Sequence, residues 1–273
     1  MKQFFITLCL LGISIFSFAQ EEKTALLITH YGSSDPDTRA LTLDVITREV
    51  KDAFPQFEVR EAYISPIVRK KLAKEGVEKD SPIDALLKLR ADGLQKIYIQ
   101  STTLIEGSEM TSVRKDADKV RPFFKEIKVG NPLLYSVEDC EKVINILTTE
   151  QPGKKEDVVY VGHGNQLPST ATYAMLDFMM KAHGLKNFHV STIEGYPTIE
   201  ATVMQLKETR PKTVTLVPLL LVCGNHTKED IAGTWKTELE KQGYQVNVRM
   251  QGLGENNAIR QIYIDHIKAI INN

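Results

Sequence analysis

VTLVPLLLVCGNHT, Val214 to Thr227, is almost wholly apolar up to Val222 and then breaks into Cys223-Gly224-Asn225-His226. An apolar run of that length, closed by a glycine, reads as a strand buried on both faces of a parallel sheet. The Gly-Asn-His corner then falls at the strand's carboxyl end, where open α/β sheets place their ligands. Thr227, with Asp230 three residues on, predicts a capping box at the start of the next helix. A histidine between a buried strand and a helix start is held on a short tether beside a crevice.

Two more segments share this design. DVVYVGHGN (Asp157 to Asn165) is an apolar strand ending in Gly162-His163-Gly164, and FHVSTIEGYP (Phe188 to Pro197) is a strand ending in Glu194-Gly195. Pro197 is expected in the first turn of the helix that follows. Three strand ends therefore deliver His163, Glu194 and His226, spaced 31 and 32 residues apart, about one βα unit each. Two imidazoles and one carboxylate at neighbouring strand tips would form an open divalent-metal site.

The chain of 273 residues is 42% hydrophobic and 25% charged, with a formal net charge of −1. This suits one large or two small α/β domains and gives no basic excess for nucleic acid or an anionic membrane. Residues 1–19 differ in kind. Lys2 is followed by an apolar core from Phe4 to Phe16 and then by Ser17-Phe18-Ala19, with small residues at the cleavage positions. The pattern predicts a secretory signal peptide cut after Ala19, hence an exported, periplasmic protein with no membrane span after cleavage. The apolar core is short for an anchor. Only Cys140 and Cys223 then remain. Export permits a bridge between them, but two cysteines are no framework, and buried thiols are the expectation.

Taken in order, the first half reads as strands at 25–34 (with its turn), 57–63 and 96–104. Helices are expected at 38–53, from Ser65-Pro66 to Gly76, from Ser81-Pro82 to Gly93, and at 112–120 and 137–147. The polar, turn-rich 151–156 separates an N-terminal half, 20–150, from a C-terminal half, 157–273. In the second half, strands at 157–161, 188–193, 213–222 and 246–250 alternate with helices at 169–183, 197–208, 227–242 and 257–271. The halves repeat one another. ALLITHYG lies over VVYVGHGN, FEVREAYISP over FHVSTIEGYP, and KIYIQSTTLIEG over TVTLVPLLLVCG, in the same order. The first-half counterparts of His163, Glu194 and His226 are then His30, Tyr63 and Glu109. The expected fold is two similar α/β halves, each a parallel sheet flanked by helices, facing each other across a cleft.

At this point the residues resemble a known family, the anaerobic sirohydrochlorin cobaltochelatases of the class II chelatase superfamily. The resemblance runs from Ala25 to the C-terminus. It rests on Gly32-x-Ser34 with Asp37-Thr38-Arg39, Ala85-Leu86 with Asp92-Gly93, VGHG at 161–164, IEGYP at 193–197, LVCGNHTKEDIAG at 221–233 and GLGE at 252–255. It implies flavodoxin-like halves around a tetrapyrrole-sized cleft, and insertion of Co2+ into metal-free sirohydrochlorin without a nucleotide, with Ni2+ or Fe2+ as alternative metals. It makes His163 the metal ligand and proton acceptor, and Glu194 and His226 the further ligands. The chain departs from the pattern in places. Thr103 and Glu106 stand where the family usually has histidine and proline, in a loop where some exported relatives hold haem. His30-Tyr31-Gly32 replaces Ser-Phe-Gly. Small single-domain relatives use a histidine in that first turn, which makes His30 a candidate fourth ligand.

The chemistry suits these groups. The metal must stay labile, so three ligands with open positions serve better than a closed cage. Two pyrrole protons must leave, which needs a base titrating near neutral pH, and histidine fits. A cleft can hold the macrocycle bent. Carboxylates on the tetrapyrrole rim call for cations, with Arg39, Arg69 and Arg114 as candidates by position. Tyr196 is a candidate wall, while Phe178-Met179-Met180 reads as helix core and His183, His189 and His266 as structural. The competing function is a periplasmic protein that binds metal, haem or another tetrapyrrole without turnover. A solute-binding protein unrelated to tetrapyrroles fits the three-ligand spacing less well. Either function allows a homo-oligomer.

Overall fold

The computed structural model describes residues 23–224 and 227–272. The signal-peptide segment, Asn225 and His226 lie outside them. Four strands, β1 (Thr24–His30), β2 (Glu58–Tyr63), β3 (Lys96–Ser101) and β4 (Glu126–Val129), form a parallel sheet in the order β2-β1-β3-β4. The next four, β5 (Glu156–Gly164), β6 (Phe188–Glu194), β7 (Thr213–Pro218) and β8 (Gln245–Val248), form a second one in the order β6-β5-β7-β8. The repeat read from the sequence is thus a repeat of topology. In both sheets the winding reverses at the first strand, so the carboxyl ends of β1/β3 and β5/β7 are switch points, where such sheets bind ligands.

Alternation within the central strands divides the core. Ala25 and Leu27 face α4 (Pro82–Ala91) and α5 (Ser108–Val120), while Leu26 and Ile28 face the interior between the sheets. In the second sheet Val159 and Val161 pack with α8 (Ile199–Thr209) and α9 (Lys236–Lys241), and Val158 and Tyr160 with α7 (Ala171–Ala182). Burial on both faces explains the near-continuous apolar runs.

The two inner faces share one apolar cluster, bridged by α6 (Val137–Leu147) and the C-terminal α10 (Asn257–Asn272). Helix α10 crosses onto the first half. The Tyr263 hydroxyl donates to the Thr102 carbonyl at 3.0 Å, Arg260 makes two 2.8 Å bonds to Glu49, and His266 lies 3.0 Å from Asp139. These contacts lock the halves together.

Several expectations change. The helix at 38–53 is two, α1 (Pro36–Leu41) and α2 (Leu43–Ala53), broken where Thr42 leaves helical geometry. The helix expected at 112–120 starts at Ser108. The edge strand β4, four residues with mixed polarity, carried too short a pattern to be read. The buried strand of the opening motif ends at Pro218, and Leu219–Gly224 runs on as irregular chain against the Leu253-Gly254 loop. Thr227 makes no cap; it already has helical geometry, and the segment after it, Lys228–Trp235, is π-helical. Helix α8 starts at Ile199, capped by Thr198, so Pro197 precedes the helix. Cys140 and Cys223 are both buried thiols. Phe178 is exposed; its neighbours Met179 and Met180 pack inward.

Candidate metal centre

His163 and Glu194 occupy the tips of adjacent strands, His163 within β5 itself and Glu194 at the last position of β6, and both are exposed. Gly164 pairs in register with Glu194. Its φ is +73°, and a Cβ there would fall 1.6 Å from the Glu194 carbonyl oxygen. Only glycine permits that approach. Gly162 has the same need from another direction: a Cβ would fall 2.3 Å from the Tyr173 ring. The two glycines around His163 therefore let the histidine corner close onto the glutamate corner on one side and onto α7 on the other. The next turn repeats the interlock, with Gly195 against the Asn165 carbonyl.

The His163 ring is oriented by its own corner. Nδ1 lies 3.0 Å from the Gly164 carbonyl oxygen. A carbonyl can only accept, so Nδ1 carries the proton and the lone pair sits on Nε2. Tyr173 is hydrogen-bonded to the Gly164 backbone, and burial, its main perturbation, pushes its hydroxyl up to about 12. It is a neutral brace at working pH. The Glu109 charge also raises Tyr173, which places that first-half carboxylate beside the histidine corner. Gly107, at the head of α5, agrees: a Cβ there would lie 3.4 Å from both Asn165 Nδ2 and Glu109 Oε2. The repeat had paired Glu109 with His226. Its approach to the second-half site needed the tertiary packing to be seen.

The third expected ligand, His226, lies outside the described residues. Among those residues, no three His, Cys, Asp or Glu side chains gather into a metal-holding group. The chain leading to His226 meets α1 of the first half at Cys223, whose carbonyl accepts a long 3.5 Å bond from Thr38. The first half thus meets the second at both the β5 corner and the β7 corner.

His30 is not a crevice ligand. It is fully buried, with Nδ1 2.9 Å from the Thr102 hydroxyl and Nε2 3.1 Å from the Thr47 hydroxyl. Desolvation lowers its pKa to about 4. Glu61, 3.7 Å away, pulls the other way, but Lys79 and Thr47 already hold that carboxylate. The sign for stability follows. Below about pH 6.5 the unfolded imidazole takes a proton that the folded one refuses until about pH 4. Stability should fall by about 3 kcal/mol across that window as pH drops. Replacing His30 with glutamine should flatten this part of the acid limb in urea titrations from pH 7 to 4; an unchanged limb would exclude the assignment.

The other histidines are structural, as expected. His189 is buried between Asp157 and Gln205, and His183 pairs with Glu141 on the surface. Arg114 is held in a two-bond clasp by Glu106 at 2.8 and 3.0 Å, so it is not a free rim cation. Tyr31, Leu167 and Tyr196 follow the tips of β1, β5 and β6 with about half their surface exposed, at 50%, 45% and 57%. Tyr196 is therefore not core.

Comparison with known proteins agrees with this architecture. SirB from Bacillus subtilis with Fe3+ superposes with a TM-score of 0.65 at 14% identity, covering 91% of this chain and 95% of that one. SirB in complex with cobalt gives 0.61 at 14% identity, with 92% and 96% covered. At that identity the likeness concerns the fold. In sequence, the chain is 33% identical to the sirohydrochlorin cobaltochelatase of Salmonella typhimurium, over 92% of this chain and 97% of the relative. It is 31% identical to the sirohydrochlorin cobaltochelatase CbiKC of Nitratidesulfovibrio vulgaris, over 91% of each. The family model for cobalt chelatase (CbiK) matches residues 24–272. With nearly every described residue inside that match, this chain belongs to the cobalt chelatase (CbiK) family of metal chelatases.

Proposed function

We propose that the protein inserts Co2+ into metal-free sirohydrochlorin, with no nucleotide, at the carboxyl ends of β5, β6 and β7. The observation that carries this reading is the closure of the His163 corner onto the Glu194 corner within a chain whose relatives are named for this reaction. In the proposed arrangement His163 Nε2, Glu194 and His226 hold the metal as substrate and leave positions open for the macrocycle nitrogens. Once the metal has passed into the macrocycle, the freed Nε2 lone pair of His163 accepts one pyrrole proton, its ring kept in that tautomer by the Gly164 carbonyl. Glu109 supplies a second carboxylate from the opposing half, able to steer Co2+ in or take the second proton. Tyr31, Leu167 and Tyr196 offer exposed apolar surface at neighbouring tips, suited to the faces of a macrocycle. Ni2+ and Fe2+ satisfy the same ligands, since affinity order alone does not choose among these metals. The leader at residues 1–19 makes this an exported, periplasmic member. Among the described residues no helix is long and apolar enough to cross a membrane.

The test is turnover. Mature protein at a small fraction of the sirohydrochlorin concentration, given Co2+, Ni2+ or Fe2+ in parallel, should complete the metallation spectral change many times over, fastest with Co2+. A change that stops at one equivalent would replace the enzyme with a carrier.

A further inference from the structure

Helix α10 follows the second half in sequence but docks on the first. Tyr263 and His266 hold it against Thr102 and Asp139. The loop before it, residues 252–255, stays with the second half. Leu253 and Gly254 donate their N–H groups to the Leu220 and Leu221 carbonyls at 2.8 and 2.9 Å, and Glu255 Oε1 accepts from Gly252 N–H at 2.8 Å. The chain therefore crosses from one half to the other between Glu255 and Asn257. A few loop residues of this kind are where a hinge turns.

Arg260 spans that crossing. Its Nε and Nη2 each donate to the Glu49 carboxylate on α2 at 2.8 Å. Nη1 donates to the Gly254 and Glu255 carbonyls at 3.1 and 2.9 Å, and Nη2 also reaches Asn257 Oδ1 at 3.3 Å. A guanidinium has five N–H groups, and all five find an acceptor here. The carboxylate belongs to the first half and the two carbonyls to the second-half loop. The Arg260 and Glu49 side chains are only 11% and 26% exposed, so solvent screens them less than a surface pair. The clasp lies behind a cleft wall. A Cβ on Gly254 would fall 2.9 Å from Thr42 Cβ, at the elbow between α1 and α2. Helix α1 in turn meets the β7 corner through the long Thr38–Cys223 bond. The amide bonds to Leu220 and Leu221 do not involve the guanidinium, so the corner can keep its shape without it.

We propose that Arg260 is a positioning residue that sets the spacing of the two cleft walls, by clasping the 252–255 loop of the second half to Glu49 of the first. It acts on the macrocycle, which must touch both walls, rather than on metal ligands that share one half. That consequence rests on the reading above that the substrate lies between the halves.

Spin labels on Lys71→Cys in α3 (Pro66–Lys74) and Lys207→Cys in α8, exposed positions on opposite halves, read the spacing by pulsed dipolar spectroscopy, with Cys140 and Cys223 buried. The otherwise unaltered mature protein should give one narrow distance, and Arg260→Gln a broader distribution. If about one molecule in ten keeps the binding spacing, affinity for metal-free sirohydrochlorin, followed by fluorescence quenching, falls about tenfold. Co2+ affinity measured by calorimetry should stay unchanged. Glu49→Ala leaves the loop bonds of Arg260 whole and cuts its tie to the first half. It should do the same, and it decides the matter if Arg260→Gln does not fold. An unchanged distance in the folded variants, a broader one with unchanged tetrapyrrole affinity, or an equal loss of Co2+ affinity would each overturn the proposal. Broader distances in a protein whose wild type binds no tetrapyrrole would sink the macrocycle reading and leave the clasp standing.

Discussion

Replacing His163 with alanine is expected to lower metal insertion roughly a hundredfold to ten-thousandfold, the range for losing a positioned general base. The side chain is exposed, and among the described residues its hydrogen bond is to its own corner, so the fold should survive. One lone pair with two successive uses is removed: Nε2 toward the metal, and then, once the metal has entered the ring, toward a pyrrole proton. Steady-state rates with Co2+ and sirohydrochlorin, beside a thermal melt of the same sample, separate chemistry from unfolding. A variant that melts like wild type and keeps its rate would remove His163 from the site. His163→Gln offers an amide without a usable base and should be nearly as slow, whereas added imidazole should restore part of the alanine variant's rate.

Gly164→Ala is expected to do as much damage by a purely steric route. The new methyl would meet a backbone carbonyl at 1.6 Å, where no rotamer can relieve it, and the residue already holds a φ of +73° that L side chains adopt at a cost. A destabilisation of about 3 kcal/mol or more is expected in urea unfolding, together with loss of Co2+ binding as the two corners part. Gly184→Ala is the matched control. It too has a positive φ, +78°, but no atom lies within 4 Å of the added methyl. It should cost only the backbone strain and leave metal binding alone. Equal effects at the two positions would mean that the joint between corners has no bearing on the metal.

The fold was legible because each sheet is built from strands buried on both faces. Runs such as Ala25–Ile28 and Val158–Val161 have no other reading when glycine corners and amphipathic helices follow them. Internal comparison added the equivalence of the halves, now seen as one strand order used twice. Boundaries failed where local chemistry was ambiguous. Thr42 breaks a helix with no proline or glycine to announce it. Pro218 ends a strand whose apolar character runs on to Val222. Thr227 looks like a cap but is already inside a helical turn. At the site, the glycines of Gly162-His163-Gly164 marked the corner, though their reasons, Tyr173 and the Glu194 carbonyl, are long-range contacts that no spacing reveals. The same limit applied to His30. Its likeness to His163 in the repeat suggested a ligand, and only burial by Thr47, Thr102 and Tyr63 showed a neutral core histidine instead. Glu109 was visible merely as a counterpart, and its place near the second-half corner depends on how the halves dock.

Anomalous diffraction at the cobalt edge, from crystals of the mature protein soaked in Co2+, addresses the metal centre most directly. One strong peak bonded to His163 Nε2, the Glu194 carboxylate and the His226 imidazole, with open positions turned toward the first half, is the predicted result. A peak held by other residues, or cobalt bound without His163, would contradict it.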